Sequence, residues 1–193
     1  MSDGRAIRAF FAIELEPGAR AAVCDVLGAL CKASGGESVH WVRQEALHVT
    51  LRFLGNVDPS QLAPLAQAVG AEVSGLSPIA MTLGAARLFP SPRRPRVVAL
   101  EVGPEAELAG LAAAVERGTE ACGFEPENRP FRSHLTLGRI KQGRGPDVSA
   151  AGVPAGTAAS VESVVLFQSE LQRSGAKYTP LERMRLGGAP VHP

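Results

Sequence analysis

The chain has 193 residues, a formal net charge of +1 and 45% hydrophobic residues. This length corresponds to one large domain or two small lobes, and the apolar content excludes a disordered chain. The near-neutral charge argues against a protein that coats nucleic acid through bulk positive charge. The three cysteines show neither a disulfide framework nor zinc-site spacing, and no stretch is long and apolar enough for a signal peptide or a membrane span, so a cytoplasmic location is expected.

The first part of the chain alternates short apolar runs with amphipathic stretches. Residues 6–15 and 47–54 are rich in aromatic and aliphatic side chains, which predicts strands, and residues 39–42 form a shorter extended piece. Pro17 opens a helix that lasts to about Ala33. Asp58 and the proline after it begin a second helix, whose apolar stripe includes Leu62, Leu65, Val69 and Val73.

The second part of the chain is richer in strands. Strands are predicted at residues 79–88, 96–102, 133–140, 163–171 and 177–185. Pro104 opens a third helix between the second and third of these strands. Residues 141–159 are rich in Gly, Pro, Ala and Ser, which predicts a long surface loop, and residues 187–193 form a frayed tail. The pattern is mixed α/β.

A short motif occurs twice. His48-Val49-Thr50-Leu51 returns 86 residues later as His134-Leu135-Thr136-Leu137, each time within a predicted strand. The simplest explanation is a single bilobal domain over residues 1–193, in which each of two similar lobes contributes one central strand.

Strand alternation gives the motif a chemical meaning. His48 and Thr50 share one face of their strand, and His134 and Thr136 share one face of theirs, while the apolar residues between them point the other way. Two such strands side by side would line a cleft with two imidazoles and two hydroxyls. Histidine can serve as acid or base near neutral pH, so this set suits displacement at phosphorus, with no metal required.

The alternative is that these histidines are structural. A single His-x-Thr in a strand is usually structural, but two copies that use two of four histidines favour a site. The other two, His40 and His192, lack the pattern and are expected to be solvated.

Arginine placement adds a second signal. Residues 84–100 and 128–145 together contain nine of the 20 cationic residues and no acidic residue. Alternation puts Arg52 on the face of His48 and Arg132 on the face of His134, which makes both candidate phosphate contacts, because the planar arginine fork matches phosphate oxygens. Arg139 is out of phase, but a bulge at Gly138 would turn it toward the cleft. The alternative is a pair of solvated basic faces.

The loop after residue 88 is a candidate RNA contact. Phe89 would stack on a base, with core packing as the alternative, and three arginines follow it. These arginines are Arg93, Arg94 and Arg96.

The sequence resembles the two-histidine phosphoesterases, and within them the bacterial and archaeal RNA 2′,3′-cyclic phosphodiesterases, also known as 2′-5′ RNA ligases. The resemblance covers nearly the whole chain. It rests on FFAIEL at 10–15, HWVRQEALHVTLRFLG at 40–55, FPSPRRPRVV at 89–98, RPFRSHLTLGRI at 129–140 and SELQRSGAKYTPLERMRL at 169–186. Ser133 stands where a proline is common, a difference expected to matter little.

The resemblance implies a bilobal α/β (α+β) domain with two-fold pseudosymmetry, in which two mainly antiparallel sheets line a central cleft with helices outside. It implies hydrolysis of terminal RNA 2′,3′-cyclic phosphates to 2′-phosphomonoesters, without a cofactor. In the family's roles His48 is the proton donor to the leaving oxygen and His134 the proton acceptor that activates water. Thr50 and Thr136 hold the phosphate, and Arg139 matches a basic residue that follows the family's second motif.

The expected partners are RNA ends or cyclic nucleotides, with no membrane, and the chain is expected to act as a monomer. A reverse-type reaction would join a 2′,3′-cyclic end to a 5′ hydroxyl without ATP. Two alternatives stay open at this point. One is a nucleotide- or RNA-binding module without turnover, and the other is a related phosphodiesterase for small cyclic phosphates or 2′-5′ oligonucleotides.

Overall fold

The computed structural model describes residues 6–141, 145–149, 151–152, 157–172 and 175–187. The helices within this part are α1 (Pro17–Lys32), α2 (Leu62–Val73) and α3 (Glu105–Ala121). The strands are β1 (Ile7–Glu14), β2 (Val39–Trp41), β3 (His48–Val57), β4 (Ile79–Phe89), β5 (Val97–Gly103), β6 (His134–Ile140), β7 (Ala158–Val161), β8 (Ser163–Gln172) and β9 (Gly175–Arg185). The mixed α/β class predicted from the sequence is confirmed.

The strands pair antiparallel and in an order that divides into two matching halves. The order is β7-β4-β5-β6-β3-β1-β8-β9, with β2 added beside β6. Strands β3 and β6 lie at the centre, and each begins with a histidine of the repeated motif. The expected two sheets therefore meet through β3 and β6 and form one continuous sheet.

One face of the sheet packs against the helices. Apolar stripes of α1, α2 and α3 share a core with alternate residues of the strands, so that Phe11 of β1 is 0% exposed within it. On the opposite face, Phe10 and Ala12 of β1 join Val165 and Phe167 of β8 in a smaller buried cluster. The period-two alternation of β1 thus separates a helix-covered face from a second face that carries the site.

The structure corrects one predicted element. Residues 141–159 were expected to form a loop throughout, but Ala158–Val161 forms β7 and pairs with β4, and Gly152 bridges to Ala85. A four-residue edge strand of Ala, Ser and Val carries too little apolar patterning to be distinguished from a loop. Arg144, His192 and the predicted tail from residue 188 onward lie outside the described residues.

Three further expectations concern membrane spans, location and the exposure of His40. In the part of the chain that the structure describes, no helix is long and apolar enough to cross a membrane. The cytoplasmic location stays a prediction. His40 is exposed on β2, as expected.

A glycine at the contact between α2 and α3 gives a test of this packing. A Cβ on Gly118 would lie 2.7 Å from Val69 Cα, whereas one on Gly110, in the same helix, would meet no atom within 4 Å. Gly118→Ala should therefore lower the free energy of unfolding by about 1–3 kcal/mol, as overpacked cores do. Gly110→Ala is the matched control and should raise it by up to about 1 kcal/mol. Urea denaturation measures both, and equal effects would contradict the close approach of the helices.

Candidate active site

The two central strands meet at one cross-strand pair. Val49 of β3 pairs with Leu135 of β6, and both side chains are 0% exposed in the helix-side core. The antiparallel register that this pair sets places His48 toward Thr136, and Thr50 toward His134. The motif residues therefore come together on the face of the sheet away from the helices, as strand alternation predicted.

The His48 imidazole is fixed on both sides. Its Nδ1–H donates to the Ala46 carbonyl at 2.7 Å, and its Nε2 lies 3.0 Å from Thr50 Oγ1. A carbonyl only accepts, so Nδ1 carries the proton and Nε2 is the reactive nitrogen of the neutral ring. The rings of Phe10 and Tyr178 contact the imidazole at centroid distances of 4.9 and 5.0 Å.

The environment of His48 disfavours its charged form. Burial lowers the pKa of His48 below its ordinary value, the hydrogen bond to the Ala46 carbonyl opposes this, and the nearby His134 lowers the pKa further. In the absence of an anion, the neutral ring is therefore favoured.

The His134 imidazole is held in the same way by a different set of residues. Its Nδ1–H donates to the Arg132 carbonyl at 2.8 Å, two residues before it, as Ala46 lies two residues before His48. Phe89 stacks on the ring with a centroid distance of 5.2 Å and an interplanar angle of 11°. In both halves, then, Nδ1 is bound to a backbone carbonyl and Nε2 is the other ring nitrogen, which in His48 lies next to the Thr50 hydroxyl.

Each central strand carries an irregularity after its threonine. The register with the neighbouring strand shifts between Thr50 and Arg52 in β3, and between Thr136 and Gly138 in β6. One extra residue in a strand reverses the alternation that follows it. The first residue after each shift therefore faces the helices, and the second faces the site.

In β6 this shift turns Arg139 toward the site. A Cβ on Gly138 would lie 2.5 Å from Val39 Cγ1 and 2.9 Å from Trp41 Cε3, so this position faces a closely packed side and requires glycine. Arg139, the next residue, is exposed. Burial raises the pKa of Tyr178 above its ordinary value, and the positive charges of Arg139 and Arg8 offset part of this increase.

In β3 the same shift corrects the predicted role of Arg52. Arg52 does not share the face of His48. Its Nε lies 3.0 Å from a carboxylate oxygen of Glu116 in α3, its Nη1 lies 3.8 Å from Glu127, and its Nη2 donates to the Glu125 carbonyl. The expectation that Arg52 faces the cleft is wrong, because simple alternation takes no account of the extra residue. Arg52 anchors the helix side instead.

Phe53 takes the place in the site that Arg52 was expected to fill. It is 54% exposed, and its ring lies 5.7 Å from that of Phe10. Sequence reasoning missed it, although aligning the two motif copies shows that Phe53 and Arg139 both follow their histidine by five residues. Applying the bulge inferred at Gly138 to both copies would have found it.

Tyr178 and Phe10 were also missed as site residues. Strand β9 brings Tyr178 to the site because β8 pairs with β1 on one side and with β9 on the other. Such long-range pairing leaves no local signal around Tyr178. Phe10 could have been found from the alternation of β1, which separates it from Phe11.

The remaining predicted contacts lie around the rim. Arg132 is exposed and contributes its carbonyl to His134, while Arg93, Arg94 and Arg96 are exposed in the turn between β4 and β5. Among the described residues, none of these four side chains forms an ion pair with a carboxylate. Phe89 is half-buried against His134, so a base would have to use its other face. Contacts of these residues with RNA stay predictions.

The site offers a limited set of chemical groups. In the described ranges no three His, Cys, Asp or Glu side chains converge as ligands for a metal ion. On this face the described strands bring together the two imidazoles, the threonine hydroxyls and the phenol of Tyr178, and the positive charge of Arg139 acts on that phenol.

The chain is similar to known phosphoesterases over both halves. The family model for LigT like phosphoesterase matches twice, at residues 14–99 and 100–178, so that each match contains one of the paired histidines. The chain is 34% identical to the RNA 2′,3′-cyclic phosphodiesterase of Methanothermobacter thermautotrophicus over 186 residues, which is 93% of this chain and 99% of that protein.

Other proteins are similar to the chain in sequence or in structure. A protein of the same name from Geobacillus stearothermophilus is 34% identical over 153 residues, or 78% of this chain, which spans about half of that longer protein (48%). The crystal structure of E. coli LigT in apo form matches with a TM-score of 0.79 and 27% identity over 95% of this chain and 99% of that one. A second structure of that protein contains 3′-AMP and matches with a TM-score of 0.75.

The partly buried His48 ring should make folding depend on pH. Its pKa in the folded chain lies below the value of about 6.5 expected in the unfolded chain, so the unfolded state binds the proton more readily. The contribution of neutral His48 to the free energy of unfolding is complete above about pH 6.5 and is lost as the pH falls below that value. Urea denaturation at pH 8 and pH 5.5 should show a smaller loss of unfolding free energy on acidification in His48→Gln than in the unmodified chain. Equal losses would contradict a lowered pKa.

Proposed function

The chain belongs to the LigT-like phosphoesterase family, and on this basis we propose that it is an RNA 2′,3′-cyclic phosphodiesterase whose acid and base are His48 and His134. One observation carries the proposal. The two imidazoles lie on the same face of neighbouring strands, and each is held through Nδ1 by a backbone carbonyl so that Nε2 is available. In-line displacement at phosphorus needs an acid and a base arranged in this manner on opposite sides of the phosphate.

In the proposed reaction His134 is the base. Its neutral ring has a free Nε2 that accepts a proton from water as the water oxygen bonds to phosphorus. The bond from phosphorus to the 3′ oxygen breaks, and the 3′ oxygen takes the proton from Nε2 of His48. The product is a 2′-phosphomonoester, and one further proton exchange with solvent restores both histidines.

His48 becomes the acid when the substrate is bound. Burial lowers its pKa in the free protein, but an anionic phosphate beside the ring favours the protonated form. The protonated ring retains its Nδ1–H bond to Ala46 and presents Nε2–H to the leaving oxygen. Thr50, 3.0 Å from Nε2 in the free site, and Thr136 donate their hydroxyls to the non-bridging oxygens.

The surroundings favour the end of an RNA chain as substrate. Arg139 supplies a cation for the phosphate, and the exposed ring of Phe53 offers a stacking surface beside Phe10. The exposed arginines of the turn between β4 and β5 extend the positive surface from Phe89 outward. The same site would catalyse 2′-5′ ligation when a 5′ hydroxyl replaces water as the nucleophile.

Product analysis tests the reaction. An oligonucleotide with a 2′,3′-cyclic phosphate end, incubated with the protein in EDTA, should be converted to the 2′-phosphate, because the proposed steps use no metal. His48→Ala and His134→Ala should each lower kcat by about 10²-fold or more, whereas Lys32→Ala, exposed at the end of α1 on the helix side of the sheet, is the control.

Three results would overturn the proposal. Loss of activity in EDTA would exclude the metal-independent mechanism, and a 3′-phosphate product would reverse the leaving group. Binding of the oligonucleotide without turnover would favour the RNA-binding module.

A pair of arginines separates phosphate binding from packing. Arg139→Ala should weaken inhibition by inorganic phosphate and lower kcat/KM about ten- to hundredfold, the loss expected for one hydrogen bond to a charged group. Arg52→Ala removes the same charge from the helix side of β3, where Arg52 is paired with Glu116. It should lower the unfolding temperature and leave kcat/KM within about twofold, since an arginine packed against α3 has no contact with the phosphate. Weaker phosphate inhibition in Arg52→Ala than in Arg139→Ala would contradict this assignment and indicate that Arg52 binds the phosphate.

A further inference from the structure

The carbonyls that hold the two imidazoles both lie before the start of a strand. Ala46 ends a short 3₁₀ turn, Gln44–Ala46, and Arg132 lies in a segment without regular secondary structure just before β6. An imidazole held by such a carbonyl is oriented only as well as the carbonyl itself is fixed. The local structure that fixes the carbonyl differs between the two halves.

In the first half the turn fixes Ala46. The Ala46 amide donates to the Arg43 carbonyl at 2.9 Å, and the next amide, of Leu47, donates to the Gln44 carbonyl at 3.3 Å. The Leu47 side chain is 1% exposed in the core. Backbone hydrogen bonds and an apolar anchor therefore hold this carbonyl.

In the second half a polar residue replaces the apolar anchor. Ser133 stands at the position of Leu47 in the repeat and is 8% exposed. Its amide N–H donates to the two carboxylate oxygens of Glu105, at 3.2 and 3.3 Å. Its hydroxyl donates to the same carboxylate, and the Val102 carbonyl oxygen lies 2.5 Å from that hydroxyl.

Glu105 is well placed to hold this segment. It is the first residue of α3, where the free N–H groups and the helix dipole favour a negative charge. Ser133 is buried, so loss of Glu105 would leave its amide N–H unsatisfied, whereas its hydroxyl would still have the Val102 carbonyl as an acceptor. The segment that carries the Arg132 carbonyl is therefore tied to the start of α3 through a carboxylate.

We propose that Glu105, acting through Ser133, is a positioning residue that fixes the Arg132 carbonyl and thereby the orientation and the Nδ1–H tautomer of His134. The kinetic consequence rests on the proposed function, because it assumes that His134 is the base. The structural consequence does not, and it can be measured without substrate.

The test uses Glu105→Ala, Glu105→Gln and Ser133→Ala, with Glu107→Ala as the matched control. Glu107 is in the same first turn of α3 and is exposed, so its removal changes the charge at the helix start equally. Long-range proton–nitrogen spectra of the imidazoles should show His134 losing its fixed Nδ1–H tautomer in Glu105→Ala while His48 keeps its own. Glu105→Gln retains an acceptor oxygen and should restore most of the His134 pattern.

Kinetics give the second readout. Glu105→Ala should lower kcat by about ten- to hundredfold, the effect of a small misplacement of a catalytic group, with KM changed less than about twofold. Ser133→Ala keeps its amide bond and should show a smaller effect in the same direction, and Glu107→Ala none. Unchanged His134 spectra in Glu105→Ala would overturn the inference. An inactive unmodified protein would overturn the proposed function, and the spectra would still decide the role of Glu105.

Discussion

The cross-strand pair of Val49 and Leu135 is the constraint on which the rest of the site depends. It joins the two halves of the sheet, and each of its members follows a histidine and precedes a threonine. With both side chains buried on the helix side, the flanking histidines and threonines have to emerge on the other face. A slip of one residue would exchange the two faces and bury the polar groups, so the apolar core that stabilises the fold also fixes the register of the site.

The repeat of the His-x-Thr motif explains the likeness of the two imidazoles, and the residues around them explain why they can differ in role. After each threonine, one extra residue reverses the alternation of side chains along the strand. Phe53 in β3 and Arg139 in β6 then face the site, so one half contributes an aromatic ring and the other a cation. His48 lies among Phe10 and Tyr178, whereas His134 has Phe89 against one face. The same backbone device therefore presents two equal bases in unequal surroundings, which is what acid–base catalysis from a pair requires.

Much of this could be predicted from the sequence, because most elements and the His-x-Thr faces follow from short-range periodicity. The failures share a cause in structure that periodicity does not encode. Arg52 was placed on the wrong face because a bulge is a property of the pairing between strands, and Gly138 marked it only in the second copy. Strand β7 was missed because its residues have little strand character. Tyr178 reaches the site only through the pairing of β8 with β9, and no residue near it in the chain indicates that outcome.

The lowered pKa of His48 and its proposed role as the acid become consistent once the substrate is counted as part of the site. An acid that was charged in the free protein would place a buried cation beside the second imidazole, and burial opposes this. A bound phosphate supplies the missing negative charge, so the proton on Nε2 of His48 is stabilised chiefly when there is a leaving oxygen to receive it. An acid of low intrinsic pKa also releases its proton more readily. In the proposed mechanism the packing of Phe10 and Tyr178 therefore does more than hold the ring, because the burial that lowers the pKa of His48 links its protonation to occupancy of the site by an anion.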